Sequence, residues 1–276
     1  MRSVEGRTVL ITGAAMGMGR LYARHAVAER AATVVLWDLD AAPLETTRAE
    51  LAAGGANVLA KVVDVSSADA VANAARELHE ANVHPDIVIN NAGVVRGKPF
   101  WEHDPLADSE FIIRINVLGP MHVARAFLPA MIAAGRQARI LNVASASGQL
   151  SVPRMSVYTG SKWAVIGWSD SLRLELEREG HGHVRVTTLI PSYIKTGMFD
   201  GARAPLLTPL LEPEYVVDKA WAAMKAGRPR LMLPWSVGLS RMLSGLLPLR
   251  AWDWLAGRVF GVYSSMDAFT GRRPGQ

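Results

Sequence analysis

The chain of 276 residues contains no cysteine. Disulfide bonds, thiolate metal ligands and cysteine nucleophiles are therefore excluded. Seven histidines are present, but none forms a His-Glu-x-x-His pattern or a comparable ligand set, so we expect no metal site. No repeat or low-complexity tract interrupts the chain. The sequence is thus typical of one uninterrupted domain whose chemistry depends on neither thiols nor a bound metal.

Positive charge is unevenly distributed. The formal net charge is +5, and this excess lies between residues 228 and 276, where seven arginines accompany two aspartates. The rest of the chain is neutral by formal count, so we expect no nucleic-acid partner. Residues 1–5 lead directly into an apolar strand, which leaves no room for a signal peptide. We therefore expect a cytoplasmic protein.

Short apolar runs alternate with helical stretches along the chain. They cover residues 8–12, 33–37, 58–63, 87–90, 139–143, 184–190 and 231–233. This alternation predicts an α/β fold, a single-domain, doubly wound, parallel sheet of seven strands. We interpret residues 1–200 as the cofactor-binding and catalytic body of this one domain, which spans 1–276. Residues 201–276 then supply a substrate loop, the last strand and a hydrophobic, basic helical extension.

A glycine-rich loop follows the first of these strands. Gly13, Gly17 and Gly19 separate the strand from an alanine-rich helix. Such a loop lets the backbone approach a pyrophosphate, whose charge meets the N–H groups and positive dipole at the helix start. The second strand ends in Asp38, about twenty residues further on, where a carboxylate can accept from ribose hydroxyls and repel a 2′-phosphate. No Arg or Lys occurs at 14–16 or 39–40, so NAD(H) is favoured over NADP(H).

Tyr158 and Lys162 form a second chemical signal. A spacing of four brings both side chains onto one face of a helix. A free tyrosine has a pKa of about 10, and a neighbouring cation stabilises the phenolate. We therefore expect Lys162 to lower the pKa of Tyr158, so that the pair can exchange a proton with an alcohol or a carbonyl.

Three motifs together closely resemble the short-chain dehydrogenase/reductase family. They are Thr-Gly-x-x-x-Gly-x-Gly from Thr12, Asn-Asn-Ala-Gly at 90–93, and Tyr-x-x-x-Lys from Tyr158. The resemblance runs from about Thr8 to Thr196. It implies a catalytic set in which a serine positions the substrate oxygen and an asparagine holds a relay water. The matching residues are Asn116, Ser145, Tyr158 and Lys162, with Ser145 preferred over Ser147 on spacing alone.

The same resemblance implies how the dinucleotide is bound. The glycine loop contacts the pyrophosphate, and Asp38 contacts the ribose. The end of the third strand contacts the adenine ring, and the Asn-Ala-Gly segment supports the adenosine ribose. The segment after residue 190 holds the carboxamide. The residues concerned are Gly13, Ala15, Gly17, Met18, Gly19, Asp38, Asp64, Val65, Asn91, Ala92, Gly93, Tyr158, Lys162, Pro191, Ile194 and Thr196. The sequence departs from the family at two positions: Met18 replaces a branched aliphatic residue, and Ser192 replaces a glycine.

The substrate is expected to be lipophilic. The segments that border the substrate in this family are apolar here, with Leu150, Val152, Pro153 and Met155 before Tyr158, Met198 and Phe199 after Thr196, and Phe100 and Trp101 as further candidates. These residues favour a hydrophobic secondary alcohol or ketone of steroid, retinoid or acyl type. An alternative is a protein without turnover on the same fold, which senses a dinucleotide or binds a membrane surface.

The carboxyl-terminal extension is amphipathic. On a helical wheel Trp235, Leu239, Met242, Leu243 and Leu246 share one face, and Ser236, Ser240 and Ser244 another. A second stretch groups Trp252, Leu255, Val259 and Tyr263. Neither stretch approaches the ~20 residues of a transmembrane helix. A lid over the pocket, a subunit interface and a peripheral contact with an anionic membrane all fit this pattern. The resemblance also implies a homodimer or homotetramer assembled through the helices that contain Asn116 and Tyr158.

Overall fold

The computed structural model describes residues 1–271 and contains a single seven-stranded sheet of order β3-β2-β1-β4-β5-β6-β7. Every neighbouring pair is parallel. The strands are β1 (Thr8–Thr12), β2 (Thr33–Asp38), β3 (Val58–Val62), β4 (Ile87–Asn90), β5 (Ala138–Val143), β6 (Val184–Pro191) and β7 (Arg230–Leu233). The predicted fold class is confirmed, and each predicted strand differs from the observed one by at most one residue at either end.

Helices connect these strands and cover both faces of the sheet. They are α1 (Gly17–Ala28), α2 (Ala41–Ala52), α3 (Ala68–Glu80), α4 (Phe111–Ile113), α5 (Gly119–Ala133), α6 (Ser156–Arg178), α7 (Pro213–Ala226), α8 (Trp235–Leu246) and α9 (Leu249–Trp254). Turns of 3-10 helix occur at Phe100–Glu102 and Ala146–Gly148, and turns of π-helix at Pro105–Glu110, Arg114–Leu118 and Leu255–Val259.

The hydrophobic core has two layers because successive strand residues point to opposite faces. In β1, Val9 and Ile11 belong to a cluster that includes Tyr22 of α1 and Trp221 of α7. Leu10 belongs to the other cluster, with residues of α3, α5 and α6. Strands buried on both faces are typical of parallel sheets, and this explains why the apolar runs in the sequence are continuous rather than alternating.

The strand order reverses direction beside β1. The chain runs from β1 outward to β2 and β3, then returns to the other side of β1 for β4 and the later strands. The loops that follow β1 and β4 therefore diverge, and a crevice opens at the carboxyl ends of these strands. This crevice is where the predicted glycine loop and the Asn-Ala-Gly segment meet.

One helical segment among the described residues, Pro105–Ala133, is long and apolar enough to cross a membrane by length and composition. Its inward side chains, including Ile112, Val123 and Phe127, are buried in the domain. Val123 and Phe127 pack in the same cluster as Leu10 and Val88 of the sheet. The segment is therefore a core helix of the α/β domain in this structure.

Candidate active site

The glycine loop and the segment after β4 approach each other closely. Gly13 has a φ of +63°, and a Cβ at this position would lie 2.9 Å from the Cα of Ala92. A Cβ at Gly19 would lie 1.9 Å from the carbonyl oxygen of Gly13. These two contacts exclude any larger side chain, because the backbone itself occupies the space. The loop is thus held tightly against the start of α1, whose first N–H groups face the crevice.

A crevice with an open volume of about 1360 Å³ extends along the carboxyl edge of the sheet. Most of the predicted cofactor residues line it: Gly13, Gly17, Met18, Asp38, Asp64, Val65, Asn91, Ala92, Gly93, Tyr158, Lys162, Pro191, Ile194 and Thr196. Ala15 and Gly19 do not line the crevice. Ala15 instead donates its N–H to Asp38 Oδ2 (2.9 Å), and Gly19 packs beneath Gly13. Both residues therefore support the conformation of the glycine loop without lining the crevice.

Several lining residues were missed in the sequence. Met16, Phe111, Val94 and Ile115 also line the crevice. Met16 occupies one of the unspecified positions of the glycine motif, so the motif itself does not predict a role for it. Phe111 and Ile115 come from the segment before α5, which packs against α6, and only this tertiary contact brings them to the crevice.

Asp38 is held by two backbone donors. Its Oδ2 accepts from Ala15 N, and its Oδ1 accepts from Asp40 N at 3.1 Å. The adjoining wall is made of Met16, Leu39 and Asp40. This end of the crevice therefore presents a positioned carboxylate with apolar and acidic neighbours, an environment that suits neutral hydroxyl donors and disfavours a phosphate.

Asn91 connects the ends of β1 and β4. Its Nδ2 donates to the carbonyl oxygens of Thr12 (3.1 Å) and Gly13 (3.0 Å), and its N–H donates to Thr12 Oγ1 (3.1 Å). The side chain thereby fixes the separation of the two loops. Gly93 follows, with its backbone against Asn116 and Lys162.

Asn116 lies in the π-helical turn Arg114–Leu118 and is buried. Its Oδ1 accepts from Val94 N (2.9 Å), while its Nδ2 donates to Val94 O (2.9 Å) and Ser161 Oγ (3.1 Å). Both N–H bonds of the side-chain amide are thus used within the chain, while Oδ1 has room to accept a second hydrogen bond. The side chain joins the post-β4 loop to α6. A π-turn displaces backbone carbonyls from regular helical bonding, a feature common at functional sites.

The predicted catalytic side chains converge where β5 ends and α6 begins. Tyr158 and Lys162 lie one turn apart on α6, and both are buried. The Ser145 hydroxyl lies beside the Tyr158 phenol and acts to lower its pKa. It also accepts from Ser147 N at 3.2 Å. Of the two serines considered in the sequence, Ser145 is the one whose hydroxyl contacts Tyr158.

The pKa values of this pair differ from the expectation. Burial raises the pKa of Tyr158, an effect only partly opposed by the Ser145 hydrogen bond. Burial also lowers the pKa of Lys162 to about 8. The Lys162 Nζ donates to Val143 O (3.0 Å) and lies 5.6 Å from the centre of the Tyr158 ring. The pKa of Tyr158 is thus raised overall rather than lowered as expected, because desolvation outweighs the effect of an ammonium directed at a backbone carbonyl.

A second cavity, with an open volume of about 710 Å³, begins at Ser145 and is largely apolar. Three of the residues expected to border the substrate, Leu150, Val152 and Phe199, line it. Met198 lines the neighbouring crevice instead, and Met155 is fully buried in the cluster that contains Tyr158. Pro153 lines neither space.

Phe100 and Trp101 do not join this cavity. Their side chains are 62% and 84% exposed, on the 3-10 turn after β4. Residues distant in sequence take their place, namely Tyr193, Leu206, Leu207, Val237, Leu239, Phe260 and Val262. Part of the carboxyl-terminal extension therefore does form a wall of the cavity, as the lid interpretation expected. No local pattern in the sequence marked Tyr193 or Val262, because their role depends on how the extension folds back.

Tyr193 attaches the extension to the loop after β6. Its hydroxyl is hydrogen-bonded to Ser265 Oγ (2.8 Å), and its ring meets that of Phe199 edge-on at 5.4 Å. Phe199 in turn packs against Tyr158. An aromatic and polar chain of contacts thus connects the carboxyl-terminal segment to Tyr158.

Ser192 lies at the junction of the crevice and the cavity, and it lines both. Its side chain is 8% exposed, and its Oγ bonds no other group in the described part of the chain. The backbone N–H donates to Leu233 O (2.8 Å), which fixes the position of the residue. A free hydroxyl is therefore directed at the region where substrate and cofactor would meet.

A glycine loop at a helix start, an acid at the end of β2 and a Ser-Tyr-Lys group beside an apolar cavity together define a dinucleotide-binding oxidoreductase. The family model described as short chain dehydrogenase matches residues 7–206. The chain belongs to the short-chain dehydrogenase/reductase family. It is accordingly an oxidoreductase of the alcohol dehydrogenase type that binds a nicotinamide dinucleotide.

Individual relatives agree with this assignment. Epidermal retinol dehydrogenase 2 of Mus musculus is 34% identical over 276 residues, which is 99% of this chain and 88% of the relative. Estradiol 17-beta-dehydrogenase 11 of Rattus norvegicus is 36% identical over 259 residues, 94% of this chain and 85% of the relative. Both similarities extend over nearly the whole of this chain, including the carboxyl-terminal extension.

Solved structures show the same fold. A short chain dehydrogenase/reductase from Burkholderia phymatum in complex with NAD superposes with a TM-score of 0.81 at 28% identity, covering 89% of this chain and 95% of the other. A metagenomic short-chain oxidoreductase in complex with NADP gives a TM-score of 0.70 at 31% identity, covering 83% and 96%. Similar folds thus bind either dinucleotide, so the choice depends on local residues.

Proposed function

We propose that this protein is an NAD(H)-dependent oxidoreductase that interconverts a hydrophobic secondary alcohol and the corresponding ketone. The observation that carries the proposal is the position of Ser145, which lines both the apolar cavity and the dinucleotide crevice, beside Tyr158, which lines the crevice. A hydroxyl or carbonyl oxygen at this junction would be within reach of both groups.

The residues of the crevice fit NAD(H). Gly17 lines the crevice, and a Cβ there would meet no atom of the chain closer than 4.0 Å, so the space in front of this glycine is open to a pyrophosphate. Asp38 is positioned to accept from the ribose hydroxyls, and a 2′-phosphate there would meet a carboxylate with no nearby compensating cation. Among the described residues that line the crevice, Lys162 is the one cation, and it lies at the opposite end beside Tyr158.

The proposed mechanism assigns one role to each side chain. When bound, the nicotinamide supplies or accepts the hydride. In reduction Tyr158 donates its phenolic proton to the carbonyl oxygen, and its raised pKa keeps that proton in place at neutral pH. Ser145 holds the same oxygen as negative charge develops on it. In oxidation both steps reverse.

Lys162 and Asn116 support the proton transfer. The Lys162 ammonium lies beside the tyrosine ring and stabilises a phenolate after the proton has left. Asn116 joins the post-β4 loop to Ser161 on α6, and we assign it to the proton relay through a water at the π-turn. In this proposal a deprotonated Tyr158 regains its proton from solvent along this path.

The substrate we propose is of steroid, retinoid or acyl type. Leu150, Val152, Leu239, Phe260 and Val262 give the cavity its apolar walls, and burial of apolar substrate surface contributes roughly 25 cal/mol per Å². Retinol and estradiol, which the relatives' names contain, are both lipophilic alcohols. The polar end of such a molecule would be held at Ser145.

We also propose a cytoplasmic homodimer or homotetramer. Exposed apolar side chains occur at Ile113 at the end of α4, at Leu118 in the π-turn that carries Asn116, and at Trp163 on α6, which carries Tyr158. Burial of this surface between two copies would remove apolar area from water. Sedimentation of the purified protein, with Trp163→Glu as the disrupting variant, tests the assembly.

The decisive experiment compares the wild type with Tyr158→Phe. Initial rates would be followed at the NADH absorbance band over a panel of lipophilic secondary alcohols, with NAD⁺ and NADP⁺ in parallel. We expect turnover with NAD⁺ to fall by about a thousandfold in the variant, in the range for loss of a general acid-base group. NADH binding, measured by fluorescence, should stay within about twofold of the wild type, because packing of the ring is retained.

Tyr215→Phe is the matched control, since this exposed tyrosine lies on α7, away from the crevice. Retention of turnover by Tyr158→Phe would contradict the proposed mechanism. NADH binding by the wild type without turnover of any alcohol or ketone would instead favour a protein that senses the dinucleotide.

A further inference from the structure

Helix α8 directs its polar side at the domain and its apolar side at solvent, the reverse of a usual amphipathic helix. Its serine side faces the domain: Ser236 is buried, and its Oγ donates to Leu207 O at 2.7 Å. Val237 beside it is 2% exposed and packs with Ile166 and Ile190. The apolar side faces outward, with Trp235 70%, Met242 54% and Leu246 73% exposed.

Neighbouring segments extend this exposed apolar side. Leu249 at the start of α9 is 73% exposed, and Leu206 and Leu207 in the loop before α7 are 57% and 51% exposed. Leu206 N donates to Phe260 O (2.8 Å), and Ser236 bonds Leu207, so the loop and the extension lie side by side. We name these residues the apolar patch: Leu206, Leu207, Trp235, Met242, Leu246 and Leu249. An apolar surface of this kind marks a binding site more often than a solvated face.

The helical segments that carry the apolar patch are positively charged. Arg241, Arg250 and Arg258 are exposed on the same helical segments. Asp253 is the one acidic residue between 228 and 259, and its Oδ1 accepts from the Tyr263 hydroxyl at 2.5 Å. Basic residues around an apolar helix face are the pattern that binds anionic lipid headgroups. A second copy of this chain would bring the same guanidinium groups into contact, so charge disfavours self-association here.

The apolar patch and the substrate cavity share a wall. Leu206 and Leu207 belong to both. Leu239 on α8 and Phe260, just after the π-turn Leu255–Val259, also line the cavity. The cavity continues inward to Ser145. A lipophilic molecule that enters between the loop and α8 would therefore reach the catalytic serine without crossing the charged surface of the domain.

We propose that the apolar patch docks on an anionic lipid bilayer and that the substrate enters the cavity from that bilayer. The side chains outside the cavity insert among the lipids, the arginines contact the headgroups, and the loop at Leu206 and Leu207 forms the entrance. The docking follows from exposure and charge alone. The entry route rests additionally on the proposed function, since it requires a lipophilic substrate.

Flotation with lipid vesicles tests the docking. The vesicles would be phosphatidylcholine alone, or phosphatidylcholine mixed with phosphatidylglycerol. We expect the wild type to float with the anionic vesicles and to be released by high salt, with at least about tenfold weaker binding to the neutral vesicles. The triple variant Trp235→Ser, Met242→Ser, Leu246→Ser should lose about tenfold or more in binding, as should Arg241→Glu with Arg250→Glu.

The matched control is the double variant Leu59→Ser, Leu174→Ser, which removes exposed apolar side chains elsewhere on the domain and should float like the wild type. Equal flotation of the triple-serine variant and the wild type would overturn the proposal, as would the absence of wild-type flotation with either vesicle. A smaller mass of the triple-serine variant in size-exclusion chromatography, without vesicle binding by the wild type, would show that the apolar patch is a subunit interface.

The entry route is tested separately, by comparing oxidation rates for a water-soluble alcohol and a vesicle-borne alcohol. The triple-serine variant should oxidise a water-soluble secondary alcohol at the wild-type rate, because none of its three positions lines the cavity. With a long-chain secondary alcohol presented in anionic vesicles, its rate should fall by about the loss in vesicle binding. Equal rates with the vesicle-borne alcohol would overturn the entry route. Vesicle binding by a wild type without turnover would contradict the proposed function and leave the docking supported.

Discussion

The ring of Phe199 packs edge-on against the ring of Tyr158, with centroids 6.0 Å apart and an interplanar angle of 79°. Phe199 belongs to the loop after β6, and Tyr158 to α6. The same phenylalanine meets Tyr193, which is bonded to Ser265 of the extension. The position of the loop after β6 relative to Tyr158 thus depends on a small set of aromatic contacts.

Phe199→Ala should raise the KM for a lipophilic alcohol by about tenfold, since an aromatic pair contributes ~0.5–1.5 kcal/mol beyond its buried area and Phe199 also lines the cavity. Initial rates over a range of alcohol concentrations give this value. The matched control is Phe100→Ala, because that side chain is 62% exposed and lies outside the cavity. Equal KM values for the two variants would contradict a role for Phe199 in substrate binding.

Asp38→Asn should reduce the preference for NAD⁺ over NADP⁺ by about tenfold, because the amide no longer repels a 2′-phosphate and accepts more weakly from the ribose. The ratio of kcat/KM for the two cofactors measures this change. Asp40→Asn removes a carboxylate from the same wall of the crevice but not the one bonded to Ala15, so its effect should be smaller. A larger change in Asp40→Asn than in Asp38→Asn would show that Asp40, and not Asp38, selects between the two cofactors.

Lys162 makes stability depend on pH in a defined window. Its pKa in the folded chain is about 8, against an ordinary value of 10.5. Below pH 8 both states carry the proton, and the buried ammonium costs on the order of 3 kcal/mol. Between pH 8 and 10.5 the folded chain releases the proton while the unfolded chain keeps it, so the free energy of unfolding rises with pH.

This dependence is measured by urea unfolding of the wild type and Lys162→Met without added dinucleotide. The wild type should gain stability relative to the variant as pH increases from 8 to 10.5. Lys219→Met, which removes an exposed lysine of α7, should follow the wild type throughout. A constant difference between the wild type and Lys162→Met would show that the buried amine does not titrate in this window.

Ser192→Ala should separate substrate binding from stability. The Ser192 hydroxyl bonds no other described group of the protein, so its removal should leave the free energy of unfolding unchanged or raise it by about 1 kcal/mol. The KM for substrate should nevertheless increase, because a donor at the junction of crevice and cavity is lost. Thermal unfolding and initial rates provide the two values.

Ser169→Ala offers the contrast to that variant. Its hydroxyl donates to Val165 O (2.6 Å) and accepts from Asn142 Nδ2 (2.9 Å), so this substitution should destabilise the fold by about 1–2 kcal/mol. A similar loss of stability in Ser192→Ala would show that the Ser192 hydroxyl serves the fold rather than a ligand.

The strands and the central residues of the candidate site could be predicted from local sequence. The strand positions follow from continuous apolar runs, since a parallel sheet buries both faces of each strand. The glycine loop and the Tyr158-Lys162 pair are recognisable because their geometry depends on residues within one loop or one helical turn. For the same reason Asp38 could be assigned from its distance along a single βαβ unit.

The extension illustrates what local sequence left open. Its helical wheel separated Trp235, Met242 and Leu246 from Ser236 correctly, and lid, interface and membrane contact all fitted that pattern. The structure adds the direction: Ser236 bonds Leu207 and faces the domain, while the apolar side faces outward. Arg272 and Arg273, which contribute to the positive charge of the extension, lie outside the described residues.

The amino-acid sequence by itself thus determined the sheet and the dinucleotide crevice and predicted the proposed catalytic side chains, because each is encoded by neighbours in the chain. Only the tertiary structure decided that Tyr193 borders the cavity, that Phe100 and Trp101 do not, and that burial raises the pKa of Tyr158. These properties depend on desolvation and on contacts between segments far apart in sequence, and such contacts exist only once the chain has folded.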